Sequence, residues 1–212
     1  MTSALPTSSS GTDRDTLATG SFDAVIFDMD GVIIDTHHSV TAFWEELAAE
    51  EGIRLTPEQY ARDIYGCVAV HTLDAMFPNV VGARRDAVLD RLMVYEDQLD
   101  YTPVPGIGAF LAALKAHGVP TALATSGALA KVRAALGQLA LLGAFDAVVT
   151  AEDVTRGKPD PACYLLAAQR LGLPPGRCIV FEDSLTGVRA ATAAGTSCVA
   201  LTDPPRGATG AR

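Results

Sequence analysis

The sequence predicts an α/β protein: a parallel β-sheet with helices on both faces, and a helical unit inserted behind its first strand. Three observations carry this reading. Short apolar runs alternate with helical patterns from residue 119 to residue 201, which is the signature of βαβ units and hence of a parallel sheet. The run Ala24-Val25-Ile26-Phe27 is apolar at every position, as a strand buried on both faces must be. Residues 36–101 break the alternation with a stretch that reads as helix almost throughout.

Taken in order, residues 1–21 are rich in Ser, Thr, Gly and Asp and are expected to be a disordered tail, with no apolar segment of the secretory type. The first strand spans 24–27. Helices are expected over 40–50, over 57–64 behind Thr56 as N-cap, over 72–77 and over 83–99. Thr102-Pro103-Val104-Pro105-Gly106 is a stiff connector back to the sheet. Strands at 119–124, 147–149, 178–181 and 198–201 then alternate with helices at 128–139, 161–171 and 185–194. The domains that follow are a core of residues 22–35 and 102–202, a helical cap of residues 36–101 and a disordered tail of residues 203–212.

Composition narrows the function. At 49% hydrophobic and 19% charged, the 212 residues can build a substantial core. Sixteen basic against 25 acidic residues give a net charge of −9, which argues against non-specific nucleic-acid binding. No apolar run approaches the roughly 20 residues of a membrane span. Cys67, Cys163, Cys178 and Cys198 stand singly, as thiols of a reducing compartment do. A cytoplasmic protein with no membrane partner is expected, and a monomer is favoured.

Chemistry-bearing residues stop each strand. Asp28 and Asp30, two apart behind four apolar residues, can project into one space, with Gly31 allowing a tight turn. Two carboxylates held close cannot both ionise freely, so one becomes nucleophile and the other proton carrier. Thr125-Ser126-Gly127 offers a hydroxyl and backbone N–H groups to an anion at a helix start. Lys158, extended by Pro159, aims an ammonium at the same edge, with Asp160 as helix N-cap. Glu182 and Asp183 suit a hard cation such as Mg²⁺. Each motif alone also fits a plainer role: a solvated turn, an N-cap, a loop lysine, acids that complement a helix dipole.

Together these four motifs resemble the haloacid dehalogenase superfamily, in its branch with a helical cap after the first motif, over residues 22–201. The resemblance implies a Rossmann-like core and phosphoryl transfer from a small phosphorylated metabolite. It makes Asp28 the nucleophile and Asp30 the general acid/base. Thr125, Ser126 and Lys158 would hold the phosphoryl oxygens. The Asp28 side chain, the Asp30 carbonyl and Asp183 would hold Mg²⁺, with Glu182 a direct or indirect partner.

Competing readings are a signalling receiver domain, a non-catalytic phosphate-binding protein and a β-phosphoglucomutase-type mutase. A receiver carries its acceptor aspartate mid-chain, whereas Asp28 lies on the first strand. A silent binding protein would lack one of the acids, and all are present. Against a mutase, Val40 stands where the mutases carry a cap histidine, and Ala69 where they carry an arginine. A phosphatase acting on sugar or polyol phosphates is therefore expected. Asp35 is expected to cap a helix or form an ion pair, Trp44 to lie in the core, and His37, His38 and His117 to be solvated; His71 could touch substrate from the cap.

Overall fold

The computed structural model describes residues 22–201, so the two expected tails, residues 1–21 and 203–212, lie outside the described residues. Five parallel strands form one sheet: β1 (Ala24–Phe27), β2 (Thr121–Ala124), β3 (Ala147–Val149), β4 (Cys178–Glu182) and β5 (Ser197–Ala200), in the order β3-β2-β1-β4-β5. Central β1 pairs with β2 through Phe27–Leu123 and with β4 through Phe27–Phe181. That register brings residues 28, 125 and 182 to one edge, where ligands bind in sheets of this topology.

The two-residue period of a strand divides the core. Ala24, Ile26, Ala122, Ala124 and Val180 face helices α7 (Ala162–Arg170) and α8 (Leu185–Ala193), where Ala167, Ala168, Ala190 and Ala191 are small enough for close approach. Val25, Phe27 and Leu123 face the opposite side, against α5 (Ile107–Ala116) and α6 (Leu129–Gln138). Helix α5 was not expected from the sequence. Its Ile-Gly-Ala-Phe-Leu-Ala-Ala-Leu run has no polar face to give a helical period, although Ile107 and Leu111 do fall one turn apart.

The inserted segment is helical, as expected: α1 (His37–Glu50), α2 (Pro57–Gln59) continuing into a π-turn at Tyr60–Ile64, α3 (Ala69–Met76) and α4 (Gly82–Asp97). Thr56 does cap α2, accepting from the Gln59 N–H while Gln59 Oε1 accepts from the Thr56 N–H at 2.8 Å. Helices α1 and α3 begin three residues earlier than the pattern suggested. His37, His38 and Ser39 add no apolar residue to the α1 stripe, so periodicity alone misses that turn, whereas α3 opens on the apolar Ala69, which packs against the same apolar cluster as that stripe. A third apolar cluster has its buried residues within 43–88, among them Phe43, Trp44, Leu47, Leu73 and Phe77. The segment leaves and rejoins the core through adjacent extended pieces. Asp35 N–H donates to Thr102 O at 2.9 Å and Val104 N–H to Ile33 O at 3.0 Å.

Candidate active site

Each of the expected site residues lies at the carboxyl edge of the sheet. The N–H of Asp28 still belongs to the sheet, donating to Phe181 O at 3.0 Å, and the Thr125 N–H donates to Val149 O at 3.0 Å. The chain turns immediately afterwards, so both side chains are delivered from rigid backbone. Gly31 has φ +70° and a Cβ there would overlap the Asp183 carboxylate, so glycine is what lets β1 and β4 bring their acids together.

Lys158, only 3% exposed, is the centre of the arrangement. Its Nζ donates to Asp28 Oδ1 and to Glu182 Oε1, both at 2.6 Å, and lies 4.9 Å from the centre of the Tyr164 ring. Burial alone would lower its pKa, but the charges of Asp28 and Glu182 overcome this and hold it well above the usual lysine range. Glu182 is fully buried and surrounded by donors. Tyr164 Oη donates to Oε1 at 2.9 Å, and the Ser184 N–H and hydroxyl donate to Oε2 at 2.7 and 2.9 Å. Burial works against the ionised form of Glu182, yet Lys158 and these bonds keep its pKa below the ordinary value. Asp28 has only Lys158 to offset burial and the charges of Glu182, Asp183 and Asp30, and its pKa is pushed well up.

That imbalance bears on the metal. Asp28, Glu182 and Asp183 each offer a carboxylate oxygen within 4.8 Å of the others. Burial raises the pKa of Asp183 as well, although its bond to His37 works the other way. Two crowded acids disfavoured as anions are what a divalent cation relieves, and oxygen ligands suit Mg²⁺. Glu182 is different, because both its oxygens are already bonded within the protein. The donor set therefore fits Mg²⁺ through Asp28 and Asp183, with Glu182 orienting Lys158.

Asp30 lies beside this group on the wall of a cavity of about 360 Å³. Its Oδ1 accepts from Thr36 Oγ1 at 2.6 Å and from Lys131 Nζ at 2.8 Å. Burial would raise the pKa of Asp30, but Lys131 and these two bonds bring it below the ordinary value. Thr125 Oγ1 accepts from the Gly127 N–H at 2.9 Å, while Ser126 Oγ donates to Gly66 O of the inserted segment at 2.8 Å. The Ser126 hydroxyl is thus spent between the two units of the chain.

Four residues of this network were not picked out from sequence as site residues: Lys131, Thr36, Tyr164 and His37. Lys131 had a signal. It lies one helical turn before Ala135, on the buried stripe of α6, where a lone lysine requires an acid. His37 was expected to be solvated, but its Nε2 lies 2.6 Å from Asp183 Oδ2 and its ring 4.8 Å from that of Tyr65. His71 lies 3.8 Å from Asp63 Oδ1. Asp160 Oδ1 accepts from the Ala162 N–H at 3.0 Å, but the N-cap position of α7 expected for Asp160 is occupied by Pro161, which the sequence placed in the first helical turn. Asp35, by contrast, contributes its backbone and not a side-chain cap, because Thr36 occupies the N-cap position of α1.

Acids from two strand ends gathered around a buried ammonium, beneath a cavity, define an α/β enzyme that acts on an anionic group. The chain belongs to the haloacid dehalogenase-like hydrolases, whose family profile matches residues 22–195. It is 38% identical over 181 residues to hexitol phosphatase A of Escherichia coli, covering 84% of this chain and 82% of that one. To fructose-1-phosphate phosphatase YqaB of Escherichia coli it is 32% identical over 185 residues, covering 82% and 94%. Among solved structures, β-phosphoglucomutase of Clostridium difficile superposes with a TM-score of 0.72 at 26% identity, over 84% of each chain. CbbY of Rhodobacter sphaeroides in complex with phosphate gives 0.70 at 26%, over 86% of this chain and 87% of that one. With phosphatases as relatives over most of its length, the chain is a phosphatase of this family. Among the described residues no helix is long and apolar enough to cross a membrane.

Proposed function

We propose that the chain is a Mg²⁺-dependent phosphatase that hydrolyses small phosphomonoesters of sugars or polyols through an aspartyl-phosphate intermediate. The observation that carries this reading is the convergence of Asp28, Asp30, Asp183 and Lys158 at the sheet edge beneath one cavity. Asp28 attacks phosphorus and the ester bond to the leaving oxygen breaks. Asp30, which Lys131 and Thr36 hold ionised in the free protein, takes a proton from the bound phosphomonoester monoanion and passes it to that oxygen, then takes one from the water that cleaves the acyl phosphate. Lys158 and the 125–127 turn hold the phosphoryl oxygens. Mg²⁺, held by Asp28, Asp183 and the Asp30 carbonyl, supplies charge neutralisation at the phosphoryl group when bound. Residues 36–101 act as a cap that excludes water from the reaction.

The cavity's lining supports a substrate with one phosphate. On the side of the inserted segment it is mostly apolar, with Val40, Phe43, Val68 and Leu92 among its residues. The tyrosine hydroxyls there are already engaged, Tyr65 with Thr41 at 2.7 Å and Tyr95 with Ser39 O at 3.1 Å. Among the described lining residues the cationic side chains are Lys131 and His37, and both are bonded to acids. A second phosphate would find no uncommitted cation. A mutase, which must grip a bisphosphate, needs one. Val40 and Ala69 line the same cavity and offer no charge.

The test is phosphate release from hexitol phosphates, hexose phosphates and phosphoglycolate, with Mg²⁺ and with chelator. Phosphate release from polyol or sugar monophosphates that stops with chelator, and disappears in Asp28→Asn, is the expected result. Conversion of β-glucose 1-phosphate to glucose 6-phosphate without phosphate release, followed by phosphorus NMR, would overturn the phosphatase reading.

A further inference from the structure

Lys131 has no part in the four motifs, yet it connects the acid of the first motif to the inserted helices. Its side chain is 6% exposed and reaches two carboxylates. One is Asp30 Oδ1 at 2.8 Å, on the turn after β1; the other is Glu96 Oε1 at 3.1 Å, in the last turn of α4. The ammonium is therefore shared between an acid of the sheet edge and an acid of the inserted segment. An aspartate on a turn has two side-chain torsions to fix. Thr36 and Lys131 both bond to Oδ1, among the described residues no donor bonds to Oδ2, and Asp30 lines the cavity. Thr36 belongs to the segment where the chain enters the insert, just beside Asp35–Thr102.

We infer that Lys131 is a positioning residue: it fixes the orientation of the Asp30 carboxylate and, through Glu96, makes that orientation depend on the seating of residues 36–101. The inference rests on the acid role proposed for Asp30. The leaving oxygen needs a proton donor at one place, and a misplacement of about 1 Å can cost on the order of 10²-fold in rate. With Glu96 in place the Lys131 ammonium is anchored from both sides, so Asp30 Oδ1 cannot swing. If α4 moves away, one anchor is lost and the carboxylate gains freedom. Proton donation is thereby tied to a covered site, where the leaving group is already enclosed.

The experiment uses two aryl esters of similar size, phenyl phosphate and p-nitrophenyl phosphate. Nitrophenolate leaves without a proton, whereas phenolate needs one, so loss of a positioned acid lowers kcat/KM for phenyl phosphate selectively. Asp30→Asn is the reference and should show this selective loss, on the order of 10²-fold. Lys131→Met should show it in the same direction at roughly tenfold, with KM within about twofold of wild type and Lys131→Arg recovering part. Glu96→Gln, which leaves the Lys131–Asp30 bond intact, should show a smaller selective loss. Circular dichroism checks that each variant is folded; if Lys131→Met is not, Lys131→Gln and Glu96→Gln carry the test. Selective loss in Asp30→Asn but equal loss, or none, for both esters in the Lys131 variants would overturn the inference and spare the acid role. Wild-type selectivity in Glu96→Gln would overturn the link to the inserted segment. Equal loss in Asp30→Asn would remove the reading on which the inference stands.

Discussion

Replacing Glu182 with alanine should lower the unfolding temperature sharply while leaving Mg²⁺ affinity within a few-fold of wild type. Glu182 is 0% exposed and accepts hydrogen bonds from Lys158, Tyr164 and Ser184, the last through both backbone and hydroxyl. Breaking a buried ion pair by removing one partner costs about 3–5 kcal/mol, because the other charge stays buried. Lys158 keeps Asp28 at 2.6 Å, which sets the expectation near the lower end, about 3 kcal/mol. A chain of this size loses roughly 2–4 °C per kcal/mol, so the midpoint should fall by about 10 °C. Asp183→Asn is the contrast. It removes a carboxylate that is 11% exposed and bonded to the half-exposed His37, so the melting temperature should change little while cation affinity is lost. Thermal unfolding followed by circular dichroism gives the first quantity. Isothermal titration with Mg²⁺, below each variant's transition, gives the second. Glu182→Ala melting within about 2 °C of wild type, or losing cation affinity as fully as Asp183→Asn, would refute the assignment of Glu182 as the anchor of Lys158.

Two further outcomes follow from the same geometry. A Cβ at Gly187 would overlap Glu182 Oε1, so Gly187→Ala should cost about 1–3 kcal/mol and also slow turnover by displacing the partner of Lys158; urea unfolding and phosphate release measure the two effects. Burial pushes the Cys67 thiol up to about 11, so only about a thousandth of it is thiolate near pH 8. Iodoacetamide labelling of Cys67, read by mass spectrometry, should therefore be slow there and rise about tenfold per pH unit toward pH 11; labelling at the rate of an exposed thiol would contradict the burial.

Much of the fold was legible because burial leaves a periodic trace. Ala24–Phe27 had to be a doubly covered strand, and the 3.6-residue spacing of Cys163, Tyr164, Ala167 and Ala168 had to face it. Helix α5 left no such trace, since an almost wholly apolar segment has no period to read. Motifs at strand ends were legible for a related reason: a parallel sheet sends all its carboxyl ends to one edge, so Asp28, Thr125 and Glu182 were bound to meet.

The sequence by itself determined which residues reach the sheet edge, because strand register and right-handed crossovers leave little choice. Tertiary structure alone decided how they divide the work. Glu182 and Asp183 are neighbours in sequence and alike in charge. Strand pleating turns the first inward, onto Lys158 and Tyr164, while the chain leaves the strand at the second and turns it toward Asp28 and His37. Lys131 belongs to the site for the same kind of reason. Its partners, Asp30 and Glu96, are 101 and 35 residues away, and only packing of α4 and α6 above the sheet brings those charges within 3.1 Å of one ammonium.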